Sequence, residues 1–272
     1  MTNLIVPGIS PRAEVITVTP ELAREWLGRN KHNRPIRKTT VDNYARDMRS
    51  GKWALNGEAI KFAVDGLLLD GQHRLTAVAL AEIAVPMLVI TGLSNDTQTT
   101  MDAGVKRTTG DALGLGGEKN AQVLAAVLKK IWMWQQGDYK FAGNYTPTTA
   151  ECAALLAYRP EIHRSVEIAT RVRSTFRALP PSVTGTAHYL FSRIDPDATV
   201  WFFARVADGA ALESGHPILA LRNRVANEAQ DRAKVHTHQR MAYLIRAWNA
   251  IREGRTLTRI QQGPKDPMPM PQ

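Results

Sequence analysis

The run Leu67-Leu68-Leu69-Asp70-Gly71-Gln72-His73-Arg74-Leu75 constrains this chain more tightly than any other stretch. Three consecutive leucines predict a short buried strand. Gly71 lets the chain turn sharply. Beyond it, Leu75, Val78, Ala79 and Ile83 fall at helical spacing, and Ala77, Leu80 and Ala81 make that helix apolar almost all round. The expected local structure is strand, glycine turn and buried helix, with an acid, an amide, an imidazole and a guanidinium at the junction. A helix N-terminus offers unpaired N–H groups and a partial positive charge to an anion. Arg74 adds a forked set of donors, and Asp70 can hold a metal ion or accept a proton. The plainer alternative is a capped turn with Arg74 in a local ion pair. Against it stands the cost of burying four polar groups beside an apolar strand and helix.

The flanking sequence predicts a small mixed domain around this junction. Glu14 to Val18 has strand character, and Thr19-Pro20-Glu21 opens a helix with a cap and a first-turn proline. Asn30 to Lys38 is a polar loop. Thr39 or Thr40 then caps a helix with Val41, Tyr44, Ala45 and Met48 on its apolar face. Ala59 to Ala63 and Leu67 to Leu69 form a hairpin about Asp65-Gly66, and Val85 to Ile90 is a further buried strand. Ser94 caps a short helix near Thr97 to Asp102. Strands and helices mixed over some 110 residues predict an α+β domain, assigned to residues 1–115. From the glycine-rich stretch 110–117 onward the pattern is helical, which assigns residues 116–262 to an all-α domain. The proline-rich end, 263–272, is expected to be an extended, mobile tail.

Charge separates the two parts. The chain carries a net +10 over 272 residues, but residues 1–115 hold only +2 of it and residues 116–272 hold +8. Such an excess points to nucleic acid or a phosphorylated ligand as partner. In the first part Arg29, Lys31, Arg34, Arg37, Lys38, Arg46, Arg49 and Lys52 face only Asp42 and Asp47. This cluster lies just upstream of the anion-friendly turn and is expected to face phosphates, with an ordinary solvated surface as the alternative. Lys106-Arg107 is a candidate second phosphate clamp. Cys152 is the only cysteine, which excludes an internal disulfide and a cysteine-rich zinc site. No apolar run approaches the ~20 residues of a bilayer span. A soluble cytoplasmic protein with no membrane partner is expected.

The helix ending Met48-Arg49-Ser50-Gly51-Lys52-Trp53, the segment Asn56-Gly57-Glu58-Ala59-Ile60 and the string Asp70 to Leu75 together resemble the ParB/sulfiredoxin superfamily. The closest resemblance is to ParB-like proteins of phages and mobile elements, and it covers roughly residues 13–115. It implies a ParB/sulfiredoxin-like N-terminal fold that binds a nucleotide (ATP, ADP or CTP) through phosphates seated at the glycine turn. Gly71, Gln72, His73 and Arg74 would contact those phosphates, and Asp70 would hold Mg²⁺. Gln72 stands where sulfiredoxin-like members carry a reactive cysteine, so their chemistry is not implied. The Asp-Gly, imidazole and Arg pattern lies nearer to that of a free-serine kinase in the superfamily.

Two classes of function follow. The first is a DNA-associated nucleotide-binding protein that hydrolyses or transfers phosphate, in which Arg34, Arg37, Lys38, Arg46, Arg49, Lys52, Lys106 and Arg107 hold nucleic acid. The second is a kinase-like phosphotransferase acting on a hydroxyl of a small metabolite or a modified base. A basic adaptor without catalysis is the third, and a nuclease has the least support. For phosphoryl chemistry the expected roles are Glu58 as base, His73 as phosphate ligand and Asp70 as metal ligand. A homodimer is left open.

Overall fold

Strand β1 (Arg12–Val18) runs into Thr19, whose Oγ1 accepts a hydrogen bond from the Leu22 N–H at 3.2 Å and so caps helix α1 (Pro20–Leu27). Proline suits that first turn because the N–H it lacks would have no partner there. The computed structural model describes residues 11–31, 33, 35–100, 108–143, 145–230, 235–263 and 265–272. Within them the chain divides into two compact units, residues 1–106 and 107–272.

The first unit continues with α2 (Lys38–Arg49), β2 (Ala59–Ala63), β3 (Leu68–Asp70), α3 (Gln72–Ala81), β4 (Val85–Leu93) and a 3-10 turn over Asn95–Thr100. The four strands form one sheet in the order β1-β4-β2-β3. β1 is antiparallel to β4 (Val15 opposite Leu88), β2 is antiparallel to β3 (Lys61 opposite Asp70), and β2 is parallel to β4 (Ile60 beside Val89). A parallel pair needs a crossover, and α3 supplies it. Alternate strand residues point the same way, so Ile60 and Phe62 of β2 join Val85, Met87 and Val89 of β4. They share one core with Trp26 of α1, Val41, Ala45 and Met48 of α2, and Leu75 and Val78 of α3. The α+β expectation holds at this level. Helix α2, however, begins at Lys38 with Arg37 at its cap and no side-chain bond, rather than with a threonine cap.

The second unit is helical: α4 (Thr109–Leu115), α5 (Ala121–Gln135), α6 (Thr149–Tyr158), α7 (Ile162–Thr175), α8 (Pro181–Ser192), α9 (Pro196–Asp208), α10 (Pro217–Gln230) and α11 (Thr237–Arg252). The glycine-rich stretch belongs here and not to the first domain. Thr108 and Asp111 form a capping box that starts α4, and Leu113 packs with Leu124, Val127, Leu128 and Leu156. Trp132 is buried as well, and Phe202, Phe203, Phe191 and Trp248 form one aromatic core in which Phe191 and Trp248 stack at 4.5 Å. These rings are spent on packing; Trp201, 46% exposed, is the exception.

The end of the chain has no helix or strand among its described residues and is bonded to α11. The Trp248 Nε1–H donates to the Gln272 carbonyl at 2.8 Å, and Asn249 exchanges two bonds with the backbone of Met270 and Gln272. Side chains of α11 thus supply partners to part of this segment's backbone in place of secondary structure. No helix among the described residues is long and apolar enough to cross a membrane.

Candidate functional site

Gly71 makes the turn from β3 into α3 with φ +105° and ψ 2°. Its Cα lies so near β2 that a Cβ would fall 2.5 Å from Ile60 Cδ1 and 3.2 Å from Ile60 Cα. The N-cap of α3 is Gly71 itself, which has no side chain to offer, and a helix N-terminus of this kind attracts negative charge. Asp70 accepts the Gly71 N–H at 2.6 Å through Oδ1.

The charged groups at the junction are bound mainly to one another. Arg74, 11% exposed, donates through Nη2 to the Ala59 carbonyl at 2.9 Å and to Asp70 Oδ2 at 3.3 Å, and through Nη1 to Glu58 Oε2 at 3.2 Å. Lys61 Nζ lies 3.4 Å from the same Asp70 oxygen. Two cations and two carboxylates thus form one cluster tying α3 to β2. The local ion pair considered as the plainer alternative describes what Arg74 does here. Asp70 between Lys61 and Arg74 is an internal counter-ion, and that surrounding charge does not suit a divalent cation.

Gln72 and His73 are buried fasteners. Gln72 Oε1 accepts from Asn30 Nδ2 at 2.9 Å, and His73 Nε2 accepts the Arg37 backbone N–H at 3.0 Å. The latter bond requires an unprotonated Nε2. It also accounts for the position of Arg37 at the start of α2. Asn33 Nδ2 adds a bond to the Leu68 carbonyl at 2.8 Å. Together with the Leu68 N–H, which donates to the Arg29 carbonyl at 3.1 Å, these hydrogen bonds pin the polar loop between α1 and α2 onto β3 and the β3–α3 turn.

That loop carries basic residues to the start of α3. Arg37 and Lys38 are exposed, as are Arg49 and Lys52 at the far end of α2, while Arg46 is half-buried. Arg29 pairs with Glu25 at 2.6 Å and lies over the Phe62 ring. Arg34, Lys106 and Arg107 lie outside the described residues. Glu58 is largely exposed, and its N–H is held by Asn56 Oδ1 at 3.1 Å.

Lys61, Asn30 and Asn33 were not foreseen as parts of this junction. Lys61 was legible in principle, because a hairpin about Asp65-Gly66 brings it opposite Asp70. The asparagines carried no local signal, since their partners lie 42 and 35 residues away.

Comparison with known proteins adds nothing to this geometry: no family model, no curated protein and no solved structure matches the chain.

Proposed function

We propose that the chain is a DNA-associated, nucleotide-binding protein of ParB-like type, whose phosphate site is the start of α3 together with the loop pinned over it. The carrying observation is the fastening of that loop by Gln72, His73 and the Leu68 carbonyl, which brings the cationic residues Arg37 and Lys38 to the start of α3. In this reading Gln72 and His73 position the loop, and Arg74 holds the frame. The backbone amides of α3 and the side chains of Arg37 and Lys38 would meet the phosphates.

Both side chains are exposed, so Arg37→Ala and Lys38→Ala should leave the fold intact, the Arg37 N–H to His73 being backbone. Each is expected to weaken binding of the preferred nucleotide by roughly tenfold or more, the scale of one charge-assisted hydrogen bond. Calorimetry with ATP, ADP and CTP measures this, and unchanged affinity in both variants would remove the site assignment. For phosphate hydrolysis or transfer, Glu58 is the carboxylate with room to meet an acceptor. Glu58→Gln should retain nucleotide binding and lower turnover by ~10²-fold or more. A specific observation favours the adaptor reading beside this one: Glu58 and Asp70 are both engaged by Arg74. Absence of phosphate release by the wild type, with and without DNA, would select it.

DNA association rests on the basic faces. In the second unit Arg224 binds Glu228 and Arg252 binds Asp195, but the net +8 of residues 116–272 already counts those carboxylates and remains in excess. The expected contacts are the cluster from Arg29 to Lys52 and that from Arg222 to Arg259. With about four to six phosphates met, log affinity should fall against log salt with a slope of roughly −4 to −5. Fluorescence anisotropy over a salt series gives the slope. No binding even at low salt would exclude the DNA partner.

A further inference from the structure

Helix α11 and the chain that follows it enclose a cleft of about 530 Å³ within the second unit. Arg246, Arg255 and Arg259 line it, with Asn249 and the apolar Leu257 and Ile260. Arg246 donates through Nε and Nη2 to Gln262 Oε1, at 3.0 and 2.8 Å. Gln262 is 3% exposed, and its Nε2 donates to the carbonyls of Asp266 and Pro267 at 3.2 and 3.0 Å. Those carbonyls can only accept, so the amide nitrogen must face them and the amide oxygen must face Arg246. A neutral group therefore holds Arg246, which is positioned without being neutralised. Among the described residues neither Arg246 nor Arg259 meets a carboxylate, and Arg255 pairs with Glu253. The guanidinium groups of Arg246 and Arg259 thus face one cleft without a carboxylate partner among the described residues, and an entering anion would relieve their repulsion.

We propose that this cleft binds a phosphate-bearing ligand, with Arg246, Arg255 and Arg259 as donors and Gln262 as the positioning residue. Guanidinium forks match phosphate oxygens in geometry and charge. The volume is that of a small-molecule site, and Leu257 with Ile260 offers a wall for an apolar portion of the ligand. The phosphate belongs either to a free phosphorylated compound or to a nucleic-acid backbone.

Calorimetry on the full chain with inorganic pyrophosphate at low salt tests the site. Wild-type protein should bind it saturably. Arg259→Ala, which removes an exposed side chain, should weaken binding about tenfold or more. Lys265→Ala, an exposed charge that does not line the cleft, should leave it within about twofold. Pyrophosphate bound at the start of α3 would respond to Lys38→Ala and not to Arg259→Ala, so the two sites fail separately. Pyrophosphate that displaces a short DNA duplex assigns the cleft to backbone phosphates, and pyrophosphate that binds beside the duplex assigns it to a free ligand. No saturable binding by the wild type, or an Arg259→Ala variant indistinguishable from it, overturns the proposal.

Discussion

Replacing Gly71 by valine is expected to destabilise the first unit by about 3–5 kcal/mol, from backbone strain and overpacking together. At φ +105° a β-branched residue is held in a conformation its own side chain opposes. The added Cβ would also meet Ile60. The Cδ1 atom at 2.5 Å can swing away, but the Cα at 3.2 Å belongs to β2 and moves only if the sheet does. Relief would therefore shift α3 relative to β2 and pull on the bonds of Arg74 to Ala59, Asp70 and Glu58. Urea unfolding followed by circular dichroism is the measurement. A variant within about 1 kcal/mol of the wild type, a small fraction of the strain expected, would mean that the turn does not need glycine.

Acid should weaken the helical unit through His188. This imidazole is buried against the Phe203 ring, with Nδ1 2.9 Å from Ser165 Oγ. Burial is the main cause that holds its pKa down to about 4, and the nearby Arg164 charge adds to the effect. The unfolded chain takes up a proton near the ordinary value of 6.5 while the folded protein resists it. Stability from this group is thus complete above 6.5 and is lost as pH falls toward 4. The full difference is about 3 kcal/mol, of which roughly 2 kcal/mol is gone by pH ~5. His188→Gln keeps a partner for the Ser165 hydroxyl but cannot titrate. Subtracting its stability–pH profile from that of the wild type isolates the histidine. A difference that stays flat between neutral pH and pH ~5 would contradict the assigned burial effect.

The order of elements was readable because periodicity is a local property. The strand run Ala59–Ala63, helical spacing in Ala121–Gln135 and the Thr19-Pro20 cap each act within a few residues. The junction at Asp70–Arg74 was readable for the same reason, as a strand, a glycine turn and a helix. What its side chains bind was not. Of the Arg74 acceptors Ala59 lies on β2 and Glu58 just before it, distant in sequence, while Asp70 is four residues away; the partner of Gln72 lies in the α1–α2 loop, and that of His73 is a backbone N–H at the start of α2. The partners of the last chain segment were hidden for a related reason. Four prolines forbid helix and ladder bonding, yet Trp248, Asn249 and Gln262 supply the backbone partners from elsewhere.

The sequence by itself determined a basic chain with an α+β first part, a helical second part, and a glycine that only a tight turn explains. Tertiary structure alone decided that Arg74 is an internal tie, that Gln72 and His73 pin a basic loop, and that Gln262 holds Arg246 without cancelling its charge. The physical reason is range. Backbone preference and hydrophobic period are expressed between neighbours, whereas the partner of a buried polar group is whichever atom the fold delivers within about 3 Å of it.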